Sequence, residues 1–378
     1  MHKIWEEEMN VISHKKYVSK VAKNILKAGI LLGLTMTSVA ANAVDFGGKQ
    51  ITMIVPYKEG GGSTIHARVY APMLEKFLPG NPKIIIRNIK GGGSVKGINY
   101  FHENAKPDGM MFASTGTGTM FQYLLQDASV KYPLTKFIPF LTSPFGLVVY
   151  GRKDIGLTGD AKADIAKLKS MTATYGGANA TSSDLPALFS LDLLGIKLNT
   201  VFGLSNGGAR TAFERGEIQL NYDNAASWDK KVKPLIEKGL AVPLFTFGFE
   251  DDNGKIVRDP KMPNIPTFFE VYESIHGKKL SGVQLEVWRA LFGIRVMGSK
   301  MFQLPPGTPD DIVNAYRNAM KNVLNSTDFQ DKKVQKVVGA YPQKLGKASE
   351  KILIQAVGME QNTVKWLKGW LKDTHDVN

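Results

Sequence analysis

Apolar residues in this chain fall into short continuous runs and longer helical spacings, with glycine clusters between them. ITMIV (51–55) is a continuous run of strand length, and HARVYAPMLEKFL (66–78) repeats its apolar positions at helical spacing. KIIIRN (83–88) predicts a second strand, followed by Gly91-Gly92-Gly93 and the helical stretch VKGINYFHENA (95–105). MMFAST (110–115) predicts a third strand, ahead of GTGT and the helical MFQYLLQ (120–126). Strands that alternate with helices imply parallel sheets, and continuous apolar strands suit a sheet covered on both faces.

A second series follows. FGLVVYGR (145–152), TATYGG (172–177), LNTVFGL (198–204), IQLNYDN (218–224) and VPLFTFG (242–248) read as strands. KADIAKLK (162–169), SSDLPALFSLDLLG (182–195) and GGARTAFERGE (207–217) read as helices between them. Residues 250–266 are polar and turn-rich and predict an exposed loop, and EVWRALFGIRV (286–296) predicts a returning strand. TPDDIVNAYRNAMKNVLN (308–325) has proline and acids at its start, as a helix N-terminus prefers, and 346–373 reads as one final amphipathic helix. The expectation is two α/β domains, 44–147 plus 291–378 and 148–290. Two crossing segments form a hinge, and the cleft between the domains is the default ligand site.

Four glycine-rich or hydroxyl-rich loops each follow a strand and precede a helix: GGGST (60–64), GGGS (91–94), TGTGT (115–119) and GANATSS (177–183). GGGST does not match a nucleotide P-loop, because no lysine follows its glycines, and it lacks G-x-G-x-x-G spacing. One such loop alone reads as a tight turn. Four at the carboxyl ends of parallel strands converge, and their backbone N–H groups and hydroxyls suit an anion. The candidate ligand contacts are Gly61, Gly62, Ser63, Thr64, Gly92, Gly93, Ser94, Thr115, Thr117, Thr119, Asn179, Ala180, Thr181 and Ser182. Tyr57 is read as stacking on ligand or as packing. His66 is read as a ligand contact or as a partly buried residue on the helix flank. Asp223 either lines the cleft or braces a loop.

Charge and cysteine content narrow the setting. The net charge is +14; six lysines and three glutamates precede residue 44, leaving +11 beyond it. A basic surface favours anionic partners, but the lysines are scattered and no basic-aromatic module appears, so nucleic acid is not expected. The basic region His14–Lys27, the 13-residue apolar run Ala28–Ala40 and Ala41-Asn42-Ala43 read as a signal peptide (1–43) cleaved after Ala43. The alternative is a membrane anchor, although the run is shorter than the roughly 20 residues that span a bilayer. Glu6–Glu8 are unusual there, so Met9 is a candidate start. With no cysteine there is no disulfide framework and no lipidated cysteine after the leader, which suits a soluble protein of the bacterial periplasm.

Catalytic patterns are sparse. His66, His102, His276 and His375 lie outside the leader without metal-ligand spacing, and no G-x-S-x-G elbow occurs, so neither a metal nor a cofactor is expected. Asp184, Asp192, Asp223 and Asp229 read as caps or surface residues.

These segments, in this order, resemble the extracytoplasmic solute receptors of tripartite tricarboxylate transporters, the Bug/TctC type. VPYKEGGGSTIHAR (55–68) stands where that family has its VPFPPGGSTDVVAR-like segment. RNIKGGGS (87–94), KPDGMMFAS (106–114), TYGGANATSS (174–183), YDN (222–224), PNIPTFFEV (263–271) and LPPGTPDDIV (304–313) match later family segments, covering nearly the whole chain beyond residue 43. The resemblance implies a type II periplasmic-binding-protein fold. It also implies a carboxylate held by backbone N–H groups, hydroxyls and waters, and delivery to integral-membrane permease subunits. A monomer, no cofactor and no enzymatic activity are expected. Thr64 stands where the family usually has aspartate, which disfavours an amino-acid ligand. Lys58 and Glu59 replace the usual prolines, and the 250–262 segment is longer than the family pattern. A signalling receptor is the nearest alternative, and an exported hydrolase a more distant one.

Overall fold

The computed structural model describes residues 44–377 apart from Asp252, Gly339 and Ala340; the signal-peptide and membrane-anchor readings lie outside the described residues. Residues 44–377 belong to one compact unit. Its framework is two five-stranded sheets. The first contains β1 (Gln50–Val55), β2 (Lys83–Asn88), β3 (Met111–Gly116), β4 (Ile138–Ser143) and β12 (Lys300–Leu304), in the order β2-β1-β3-β12-β4. The second contains β5 (Leu147–Arg152), β6 (Thr172–Gly176), β7 (Lys197–Val201), β8 (Leu220–Asn224) and β9 (Ala241–Thr246), in the order β7-β6-β8-β5-β9.

Both sheets are mixed, which corrects the expectation of parallel sheets. β1 runs parallel to β2 and β3, whereas β12 lies antiparallel to β3 and β4. Likewise β6 runs parallel to β7 and β8, whereas β5 lies antiparallel to β8 and β9. In each sheet the antiparallel strand is the one that the chain enters on arriving from the other sheet.

In the first half the strands feed α1 (Gly62–Phe77), α2 (Val95–Asn104) and α3 (Thr117–Leu124); in the second they alternate with α4 (Ala161–Lys169), α5 (Leu185–Leu193) and α6 (Asn206–Glu214). After β9 come the short hairpin strands β10 (Phe249–Glu250) and β11 (Ile256–Val257), then α7 (Phe268–His276) and α8 (Gly282–Phe292). A π-helical turn, Gly293–Met297, leads into β12, and α9 (Asp310–Asn325), α10 (Gly346–Val357) and α11 (Gln361–His375) close the chain.

Three further expectations are corrected. The predicted strand at 286–296 is α8 and the π-helical turn; the buried residues Val287, Trp288, Leu291 and Phe292 are helically spaced, with Glu286 and Arg289 exposed beside them, a period masked by the apolar run that follows. The predicted single helix at 346–373 is broken at Gly358, where an added Cβ would lie 2.5 Å from the carbonyl oxygen of Ile354. The segment 250–266 is not wholly an exposed loop, because it forms the β10–β11 hairpin and buries Asp259, Met262 and Ile265.

Two clusters make the core. One lies between α1, the first sheet and α9, around Tyr70, Phe112, Phe140, Phe302 and Tyr316. The larger one passes from Phe101 and Phe121 through Val296 and Met297 to Tyr150, Phe245 and Trp288, so apolar packing is continuous from one sheet to the other. Trp288 stacks on Phe247, Phe268 and Phe292 within 14° of parallel. Among the described residues no helix is long and apolar enough to cross a membrane.

Candidate functional site

The loops after β1, β2 and β3 meet. Thr64 pins the first: its hydroxyl donates to the Lys58 carbonyl and accepts from Asn88 Nδ2, which also reaches the Tyr57 carbonyl. Gly60 has φ +72°, and Gly61 caps α1 without a side-chain bond. Gly62 is exposed beside it, and Ser63 is half-buried.

The second loop has four successive positive φ angles, at Gly91, Gly92, Gly93 and Ser94. At Ser94, φ is 103°, a strained value for a residue with a Cβ. The distortion turns its hydroxyl onto Thr119 Oγ1 at 2.9 Å, tying the second loop to the third. Gly118 lets the two approach, since a Cβ there would lie 2.5 Å from the Gly93 carbonyl oxygen. Thr117 is the half-buried first residue of α3, and Thr115 donates across to Gln303 of β12.

Tyr57 completes the group. Its hydroxyl lies within 3.5 Å of where a Cβ would stand on Gly116 or Gly118. That oxygen is buried beside the Ser94 and Thr119 hydroxyls and the Gly118 and Thr119 backbone without a hydrogen bond of good geometry; burial pushes the phenol pKa above its ordinary value, and those neighbours partly offset the rise. The starts of α1, α2 and α3 have no side-chain caps, whereas Asp160 and Ser205 cap α4 and α6. Uncapped helix starts leave backbone N–H groups for another acceptor.

The fourth loop is different, because its donors are committed internally. Asp184 is buried and accepts from Tyr175, Ser182 and the N–H groups of Ala178 and Asn179. Burial raises its pKa, so it is a brace rather than the cap or surface residue expected from sequence. Asn179 Oδ1 accepts both the N–H and the hydroxyl of Thr181, and Ala180 is buried. Asp223 is also a brace: it accepts Nε and Nη2 of Arg210 and the Tyr150 hydroxyl.

His66 is fully buried between Tyr70, Phe145 and Phe302. Its Nε2 is 2.9 Å from Ser143 Oγ, a histidine–serine pair that sequence spacing did not reveal. Ser143 donates to Gln343 Oε1, which leaves its oxygen to accept from the imidazole, the reverse of what a general base requires. Nδ1 has no partner, and burial, then the charge of Lys300, hold the ring neutral.

Two cations at the site were not anticipated. Lys300, at the start of β12, donates to Ser63 Oγ at 3.3 Å and sits 5.5 Å above the Phe145 ring. Arg295, in the π-helical turn, is 5% exposed and lies 5.6 Å above the Tyr222 ring. Burial, then Arg295, pushes the Lys300 ammonium down to about 8. The only available signal was a lone charge inside each apolar stretch, GIRV and KMFQL. Among the described residues no group of acids and histidines could hold a metal ion. A groove of about 720 Å³ runs along α11 and residues 122–128 and is also lined by Thr181 of the fourth loop.

No family model matches the chain. The UPF0065 protein in the gbd 5'region of Cupriavidus necator is 25% identical over 324 residues, 81% of this chain and 86% of that protein. A TctC solute-binding protein from Polaromonas, solved without ligand, superposes with a TM-score of 0.62 at 20% identity, covering 84% of this chain and 98% of that one. MatC from Rhodopseudomonas palustris, solved with malate bound, superposes with a TM-score of 0.59 at 18% identity, covering 83% and 98%. The chain therefore has the fold of TctC-type solute-binding proteins, as the sequence resemblance implied.

Proposed function

We propose that this chain is an extracytoplasmic solute receptor of the Bug/TctC type that captures a carboxylate and presents it to the permease subunits of a tripartite transporter. The observation that carries this is the meeting of three βα loops, with uncapped helix starts, around the buried hydroxyl of Tyr57. Donors arranged in this way fit a carboxylate oxygen and penalise uncharged analogues, which would leave them unsatisfied. MatC binds malate in a like fold, which supports a small organic acid as the class of solute.

The lobes we assign are 44–147 with 291–378, and 148–290, with the solute held between them and closure driven by contacts to both. We place the mature protein in the periplasm. Catalysis is not part of this reading: His66 and Ser143 are fully buried, and their hydrogen bond runs the wrong way for activating a hydroxyl.

The test is a thermal-shift screen of mono-, di- and tricarboxylates. A ligand at about 100 times its dissociation constant adds roughly 2.7 kcal/mol of stability. Ser94→Gly removes the hydroxyl and relieves the positive φ, so the empty variant should melt no lower than wild type while the carboxylate shift shrinks. No shift with any carboxylate, or a bound carboxylate located away from residues 57, 94 and 117–119, would refute the proposal.

A further inference from the structure

We infer that Arg295 and Lys300 form a cation pair that reads the charge of the bound solute, so that the site selects an anion carrying two negative charges over one carrying a single charge. This rests on the receptor reading above and adds the residues that set its selectivity. Both cations lie on the short segment that returns the chain from α8 to β12, and they reach opposite ways. Arg295 lies over Tyr222, whose hydroxyl donates to Ser183 of the fourth loop. Lys300 reaches Ser63 in the first turn of α1.

Neither cation makes an ion pair among the described residues, and Arg295 Nε is buried with no hydrogen-bond acceptor. The other mostly buried arginines are treated differently: Arg152 pairs with Asp154, and Arg210 with Asp223. The nearby buried carboxylates are already committed, Asp223 to Arg210 and Asp184 to its own loop. Thr64 places no acid in the first loop. Arg295 is buried and Lys300 half-buried; a cation withdrawn from water without a countercharge is unfavourable, and two close together more so. The depressed proton affinity of Lys300 has the same origin. One negative charge leaves one cation uncompensated, and two neutralise both.

The experiment is calorimetric titration of wild type, Arg295→Met, Lys300→Met and Lys300→Arg with succinate, adipate, butyrate and inorganic phosphate, alongside melting of each empty protein. Wild type should prefer dianions to butyrate. Each Met variant should lose at least about tenfold in dianion affinity, and the preference should collapse. Lys300→Arg should keep the preference. The empty Met variants should melt no lower than wild type, because an uncompensated buried charge has gone. Phosphate bound with the same losses would uphold the charge rule while moving both charges to one head group, and would overturn the carboxylate assignment. Unchanged dianion affinity in both Met variants would overturn the cation pair and leave the receptor standing. Empty Met variants that melt lower would mark a packing role and overturn it too. A wild type that binds none of these anions would remove the receptor reading and the pair together.

Discussion

At the scale of single residues, Lys300 connects binding to pH. Burial and Arg295 set its pKa at about 8, against an ordinary lysine value of 10.5. The titratable groups that face it are Arg295 and His66, and burial and Lys300 hold the His66 ring neutral. An anion in contact raises the proton affinity of the ammonium again, so binding near pH 8 takes up a proton. Affinity should then fall by up to about tenfold per pH unit above 8. The empty fold responds in the opposite sense. Its penalty for a buried ammonium is complete below pH 8 and is relieved as pH rises toward 10.5, where the unfolded lysine also titrates. Titrations at several pH values, in buffers of differing ionisation enthalpy, measure both the proton uptake and the slope. A flat profile in wild type, or the same slope in Lys300→Met, would contradict this account.

At the scale of elements, what the sequence revealed and what it hid have separate physical causes. KIIIRN is β2 residue for residue, and β1, β3 and the helices that follow them lie where the apolar spacing places them, because glycines mark each junction. β12 went unseen because five residues between Gly-Ser and Pro-Pro-Gly are too few to show a period. α8 was misread because its buried residues cluster at its C-terminal end and run on into the apolar π-helical turn, so that the stretch resembles a continuous strand. The three loops of the first half were legible through their glycines. Arg295 and Lys300 were not, since they lie on elements that were missed or misassigned, as β4 also was. The commitment of Asp184 and Asp223 to internal braces depends on contacts between distant parts of the fold, such as Asp223 with Tyr150. Gly97 is a junction that the pattern left unexplained. A Cβ there would stand 2.5 Å from the Ile89 carbonyl oxygen and 2.7 Å from Pro56 Cβ, so α2 rests directly on the ends of β1 and β2. Gly97→Ala should destabilise the protein by about 1–3 kcal/mol, the usual result of overpacking. Denaturant melts would measure this, and an unchanged midpoint would show that the helix can shift at no cost.

At the scale of the whole molecule, the two sheets share one strand order, and residues 144–146 carry the chain from the first to the second. The segment around 259 meets the chain there. Asp259 is fully buried and accepts from the Tyr341 hydroxyl with both oxygens; burial raises its pKa to about 6. Tyr341→Phe should cost about 1–3 kcal/mol at pH 8, where the carboxylate is ionised and loses a donor. The loss should shrink below pH 6, and melting at both pH values tests this. Gly146 is the remaining piece, because a Cβ there would fall 1.8 Å from Asp259 Oδ2. Only glycine fits at this crossing, so the 259 loop and Tyr341 pack directly against the linking backbone. Under the lobe assignment proposed above, a swing about residue 146 would carry the 259 loop and Tyr341 along with it. The 250–262 segment would then limit how widely the mouth can gape, and so how bulky a solute can enter.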